Sequence, residues 1–116
     1  MKRNLDLIRD ILLVTEAKDV NTRDFTGHTT KEVAGHMALL KDAGLVEANV
    51  RTDENNQISD AHVFRLTSYG HDFLDASRPE SIWTIAKDRI AATVGTVAID
   101  VLVDLLKSLA RQSLGV

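Results

Sequence analysis

The chain has 116 residues, 44% of them hydrophobic and 27% charged, which is enough apolar material for one core and too much for a disordered segment. It contains no cysteine, which excludes disulfides and thiolate metal ligation and fits a reducing compartment. The net charge of −3 argues against a protein that grips phosphates over a broad basic surface, although a local patch would suffice.

Lys2 and Arg3 open the chain as a signal peptide would, but Asp6, Arg9 and Asp10 interrupt the apolar stretch that should follow. The most apolar segment, 94–106, is broken by Gly95, Asp100 and Asp104 and falls short of the roughly 18 residues a membrane helix needs. A cytoplasmic protein with no membrane partner is the expectation.

In chain order, residues 2–18 predict a helix with Leu5, Ile8, Ile11 and Leu12 on one face. The stretch 19–28 holds turn formers and a short β-prone piece around Arg23 to Thr26. Thr29 and Glu32 have capping-box spacing and start a second helix, with Val33, Met37 and Leu40 facing the core and Gly44 closing it. Val46, Ala48 and Val50 then alternate with Glu47, Asn49 and Arg51 as a strand does, and after a polar loop over 52–57 the chain returns as a second strand over 61–66. Thr67 is placed to cap a short helix over 68–76. Pro79 suits the first turn of the next helix, which runs to Gly95, and a last helix spans about 96–113.

Helix, helix, two-stranded wing and further helices predict an α+β, mostly helical, winged-helix-like domain with a two- or three-stranded antiparallel wing. The expected division is a core over 1–78 and a C-terminal helical extension over 79–116. The segment from Val33 to Glu47 resembles the passage from recognition helix to wing in bacterial winged-helix regulators.

Several further pieces keep the order of one family. They are Met1 to Arg9, Glu32-Val33-Ala34 with His36, Ala43 to Ala48, Leu66-Thr67, Gly70 to Ala76, and Ile82-Trp83. Together they resemble the bacterial and prophage family of domain of unknown function 2513 over about three quarters of the chain, the last helix matching least. The resemblance implies a winged-helix-like fold in a phage or mobile-element setting, and it brings no catalytic residues.

A winged helix reads DNA with the exposed N-terminal face of its second motif helix and touches phosphates with its wing. The candidate contacts to double-stranded DNA are Thr30, Lys31 and Lys41 on the helix and Arg51 and Arg65 near the strand ends. Three features oppose this reading. The helix offers no arginine or glutamine for bidentate base readout; the wing tip carries Asp53, Glu54 and Asp60 without a lysine or arginine; and residues 19–28 are too few and too polar to supply the preceding helix of a helix-turn-helix. The alternative is a protein-binding adaptor, motivated by that acidic wing and by Ala38 and Leu39 as outward apolar residues.

The last helix carries an apolar arc broader than one core surface requires. Val97, Val101, Leu102, Leu105 and Leu109 are the candidate homodimer face, and packing inside the monomer is the competing account. His28, His36, His62 and His71 show no metal-ligand spacing, and His71-Asp72 with Asp75 reads as a solvated helix face. No nucleophile elbow, phosphate loop or paired-carboxylate constellation is present. The expectation is a non-enzyme without metal or cofactor.

Overall fold

The computed structural model describes residues 3–91 and 99–113. The chain forms two compact units that divide between Gly70 and His71. It is an α+β protein, and the described residues hold five α-helices and a three-stranded antiparallel sheet.

The first unit begins with α1 (Leu5–Ala17), whose first turn is capped by Asn4: the side-chain oxygen accepts from the Leu7 N–H at 3.1 Å. Leu7, Ile8, Ile11 and Leu12 are buried, so Leu7, rather than the expected Leu5, completes the inner face. The Thr15 hydroxyl is satisfied in the core by donating to the Ile11 carbonyl at 2.6 Å. Strand β1 (Val20–Asn21) follows, earlier than the β-prone piece expected around Arg23 to Thr26. Val20 is the apolar residue there and is buried, whereas Asn21 and Asp24 cap one another and wind Thr22–Asp24 into a 3-10 turn. The Arg23 N–H donates to the Asn21 side chain and the Asn21 N–H to the Asp24 carboxylate, both at 2.9 Å.

Helix α2 (Thr30–Asp42) packs on the sheet, and Gly44, at φ 80°, turns the chain out of it as a C-terminal glycine does. Strands β2 (Val46–Thr52) and β3 (Ile58–Leu66) form a hairpin, and β3 also pairs with β1, giving the order β1-β3-β2. The second strand starts earlier than expected, since Ile58 and Asp60 pair with Thr52 and Arg51. Two bulges interrupt the register, one of which leaves Phe64 as the extra residue opposite Glu47 and Ala48. Val46, Ala48, Ala61 and Val63 face inward under α1 and α2, while Glu47, Asn49 and Arg51 alternate outward.

Thr67 joins the hairpin to α3 (Ser68–Ser77). Its hydroxyl donates to the Gly44 carbonyl at 2.6 Å and accepts from the Gly70 N–H at 3.1 Å. Gly70 is required by close approach: a Cβ there would stand 2.0 Å from the Leu45 carbonyl oxygen.

In the second unit α4 (Glu80–Ala91) starts immediately after Pro79, whose carbonyl accepts from the Trp83 N–H at 3.0 Å. Trp83 is buried with Phe73 in an edge-to-face pair at 6.3 Å. Helix α5 (Ile99–Ser113) packs on α4 and buries Ile99, Leu102, Val103, Leu106 and Leu109.

Candidate nucleic-acid interface

The first turn of α2 is built by its cap. The Thr29 hydroxyl accepts from the Glu32 N–H at 3.1 Å. The Glu32 carboxylate does not return to Thr29 but pairs with the His28 ring. Thr30 and Lys31 stand exposed on the next positions, and the Lys31 ammonium donates to the Gln57 side-chain oxygen at 2.8 Å.

That bond joins α2 to the tip of the hairpin, which holds its own shape. The Asp53 carboxylate accepts from the N–H groups of Asn55 at 2.9 Å and Gln57 at 3.0 Å. The Asp53 and Asn56 N–H groups donate to the Gln57 and Asp53 carbonyls, with Asn56 at φ 61° in the left-handed region that asparagine tolerates. Between helix and tip lies an open cleft of about 770 Å³ lined by Thr29, Lys31, Glu32, Gly35, Asn56, Gln57 and Ile58, with the Glu32 carboxylate paired to His28. Asn56 and Gln57 were missed by sequence reasoning. The signal was available in the Asn55-Asn56-Gln57 run, because amide side chains read adenine edges.

The five predicted DNA contacts do not converge. Thr30 and Lys31 share the start of α2, but Lys41 is at its other end, roughly 15 Å away by helical rise. Arg51 projects from the outward row of β2, on the sheet face opposite α2. Arg65 is held by Glu47 in a two-pronged ion pair, at 2.8 and 2.6 Å, and also donates to the Leu66 carbonyl.

The acidic character expected of the wing is also reduced. Asp53 is occupied by the turn it builds. Asp60 is not at the tip but within β3, where it accepts from the Thr22 hydroxyl and the Ala61 N–H, both at 2.9 Å. The Thr22 hydroxyl first, and the Ala61 N–H next, hold the Asp60 carboxyl below the usual range. Asp53 and Glu54 both remain exposed at the tip.

Most of α2 beyond its first turn is committed to packing. Ala38, expected to face outward, is only 6% exposed, and Leu39 is half-buried. His36 is fully buried and bonded at both ring nitrogens. Nε2 accepts from the Asn4 N–H at 2.9 Å, and Nδ1 donates to the Glu32 carbonyl at 2.8 Å. It ties the start of α1 to α2, a role that an imidazole next to Met37 did not reveal in sequence.

Of the candidate dimer residues on α5, Leu102 and Leu109 are buried within the chain, Leu105 is half-buried and Val101 is 53% exposed. Val97 lies outside the described residues. His71 and Asp72 are exposed, and Asp75 pairs with Arg78 at 3.1 Å. Among the described residues no helix is long and apolar enough to cross a membrane.

Comparison with known proteins agrees with the expected family. A family model described as "Hypothetical protein (DUF2513)" matches residues 2–96. An uncharacterized protein of Haemophilus influenzae is 34% identical over 116 aligned residues, which cover 96% of this chain and 93% of that protein. No solved structure matches. The chain therefore belongs to the family of domain of unknown function 2513.

Proposed function

We propose that this protein binds double-stranded DNA as a small regulator, on a winged-helix plan whose middle helix is reduced to the 3-10 turn Thr22–Asp24. The succession α1, β1, turn, α2, β2, β3 with sheet order β1-β3-β2 supports this plan. The observation that carries the reading is the meeting of α2's first turn with an amide-bearing wing tip, joined by Lys31 and Gln57 at 2.8 Å. Lys31 and Thr30 supply phosphate contacts there, and Asn56 and Gln57 supply the donor–acceptor pairs that base edges require. Lys41 lies too far along α2 to share this contact, and Arg65 is neutralised. Few phosphates are therefore engaged, so binding is weak and its salt slope is small.

Fluorescence anisotropy with mixed-sequence duplex at low salt tests the proposal. Each phosphate contact contributes about −0.9 to the slope of log K against log[salt], so Lys31→Ala should weaken binding and make the slope shallower by about 1. Unchanged affinity in both Lys31→Ala and Gln57→Ala would refute it.

The burial of Ala38 and His36 favours a second reading, a protein-binding adaptor, because it leaves little of α2 free to enter a groove. Glu54→Lys separates the two: it strengthens duplex binding under the first and leaves it unchanged under the second. Among the described candidates for homodimerisation, Val101 and Leu105 are the ones open to a second copy.

A further inference from the structure

The outer face of the β2–β3 hairpin has no part in the cleft just described. Asn49 and Arg51 from β2 and Asp60, His62 and Phe64 from β3 border a concavity of about 220 Å³. Phe64 is 45% exposed and stands at the bulge where the strand gains one residue. Its ring stacks on His62, with centroids 4.8 Å apart and planes inclined by 27°. The second edge of His62 is fixed by the Asp19 carboxylate at 3.3 Å. The aromatic pair is thus held in place, with Phe64 partly open to water.

The polar groups around it are of two kinds. Asp60 is already engaged by Thr22 and Ala61. Asn49, directly across from His62, presents an exposed amide, and Arg51 an exposed guanidinium. A flat aromatic platform, an amide and a guanidinium are the parts that recognise a nucleobase. The platform and the guanidinium plane stack on its face, and the amide reads its edge.

We propose that this face is a stacking site for an unpaired nucleobase, with Phe64 and His62 as the platform, Asn49 on the base edge and Arg51 beside it. Asp19 and Asp60 balance Arg51 and the nearby Arg23, so stacking rather than phosphate attraction supplies the affinity. The site therefore binds with little salt dependence. It is independent of the duplex-binding reading, since no residue of α2 takes part.

The test uses the full chain with labelled single-stranded dA and dT oligonucleotides of about 12 nucleotides, within the span a small surface covers. AMP serves as competitor. Wild-type protein should bind, and Phe64→Leu should weaken binding about tenfold, within what one base–aromatic stack contributes. Phe64→Tyr should restore it. Thermal melts of the variants confirm folding, which this exposed position makes safe. Competition by AMP with the same Phe64 dependence identifies a free nucleotide as sufficient, and its absence with strand binding intact identifies a single strand. No binding of strand or AMP by the wild type, or equal binding by Phe64→Leu, would overturn the proposal.

Discussion

Replacing Gly70 by alanine sets two effects of opposite sign against each other. Gly70 is inside α3, where alanine is favoured over glycine by about 1 kcal/mol. Against this, the new Cβ would lie 2.0 Å from the Leu45 carbonyl oxygen and 3.0 Å from its carbon. The atom in the way is backbone, so no rotamer change relieves it, and one segment must retreat by about 1 Å, an overpacking that costs typically 1–3 kcal/mol or more. Retreat is further resisted because the same Leu45 carbonyl accepts from the Thr67 N–H at 3.0 Å, while the Thr67 hydroxyl holds Gly44 and Gly70. At this separation the cost is at the upper end, about 3 kcal/mol, so the clash wins and the expected net loss is about 2 kcal/mol, or roughly 8 °C in Tm for a domain of this size. Thermal and urea unfolding followed by circular dichroism measure it. His71→Ala, at an exposed neighbour in the same helix, is the control that brings the propensity gain without the contact. A Gly70→Ala protein melting at or above the wild-type temperature would refute the argument.

Other outcomes follow from the same contacts. His36→Phe keeps the ring volume but strips the Asn4 N–H of its acceptor, so stability should fall by about 1–3 kcal/mol, and an unchanged urea midpoint would show that the tie is idle. The Asp60 carboxyl has a folded-state pKa below its unfolded value, so its contribution is present above the unfolded pKa and is lost as pH falls through the folded one. Thr22→Val removes the largest cause of that shift. The variant should be less stable at neutral pH, and the gap to wild type should narrow below about pH 4; a constant gap in urea titrations would contradict this. Val101→Glu should leave the folded monomer intact and abolish any dimer seen by light scattering, because Val101 is the α5 candidate most open to solvent. A dimer that survives the change places its interface elsewhere.

Much of the first unit was legible because its signals are local. Thr29 at a cap, Gly44 after a periodic helix and the alternation from Val46 to Arg51 each act over a few residues. The family was legible for the same reason, since its pieces recur in order. What was not legible depended on partners distant in sequence. Asp60 was read as a free wing charge because Thr22, 38 positions earlier, could not be seen beside it. Ala38 was read as outward because its helical position ignores how many neighbours crowd α2. Arg65 looked available for phosphate because a single strand does not reveal Glu47 across the ladder. The duplex-binding candidates scattered over two faces for that reason, whereas Asn56 and Gln57, overlooked as loop residues, came to lie beside Lys31.

The position of β3 also bears on how the protein is made. It is the central strand of the sheet and the support for both α1 and α2, yet it is the last strand to be synthesised. While residues 1–57 emerge, the apolar sides of two helices and of β2 have only one another, and not the central strand, to settle on. The contacts that complete the first unit therefore form late, once Leu66 is free to dock. A nascent chain stalled before β3 would display those surfaces, which makes this interval, rather than the finished protein, the one most exposed to chaperones and to aggregation.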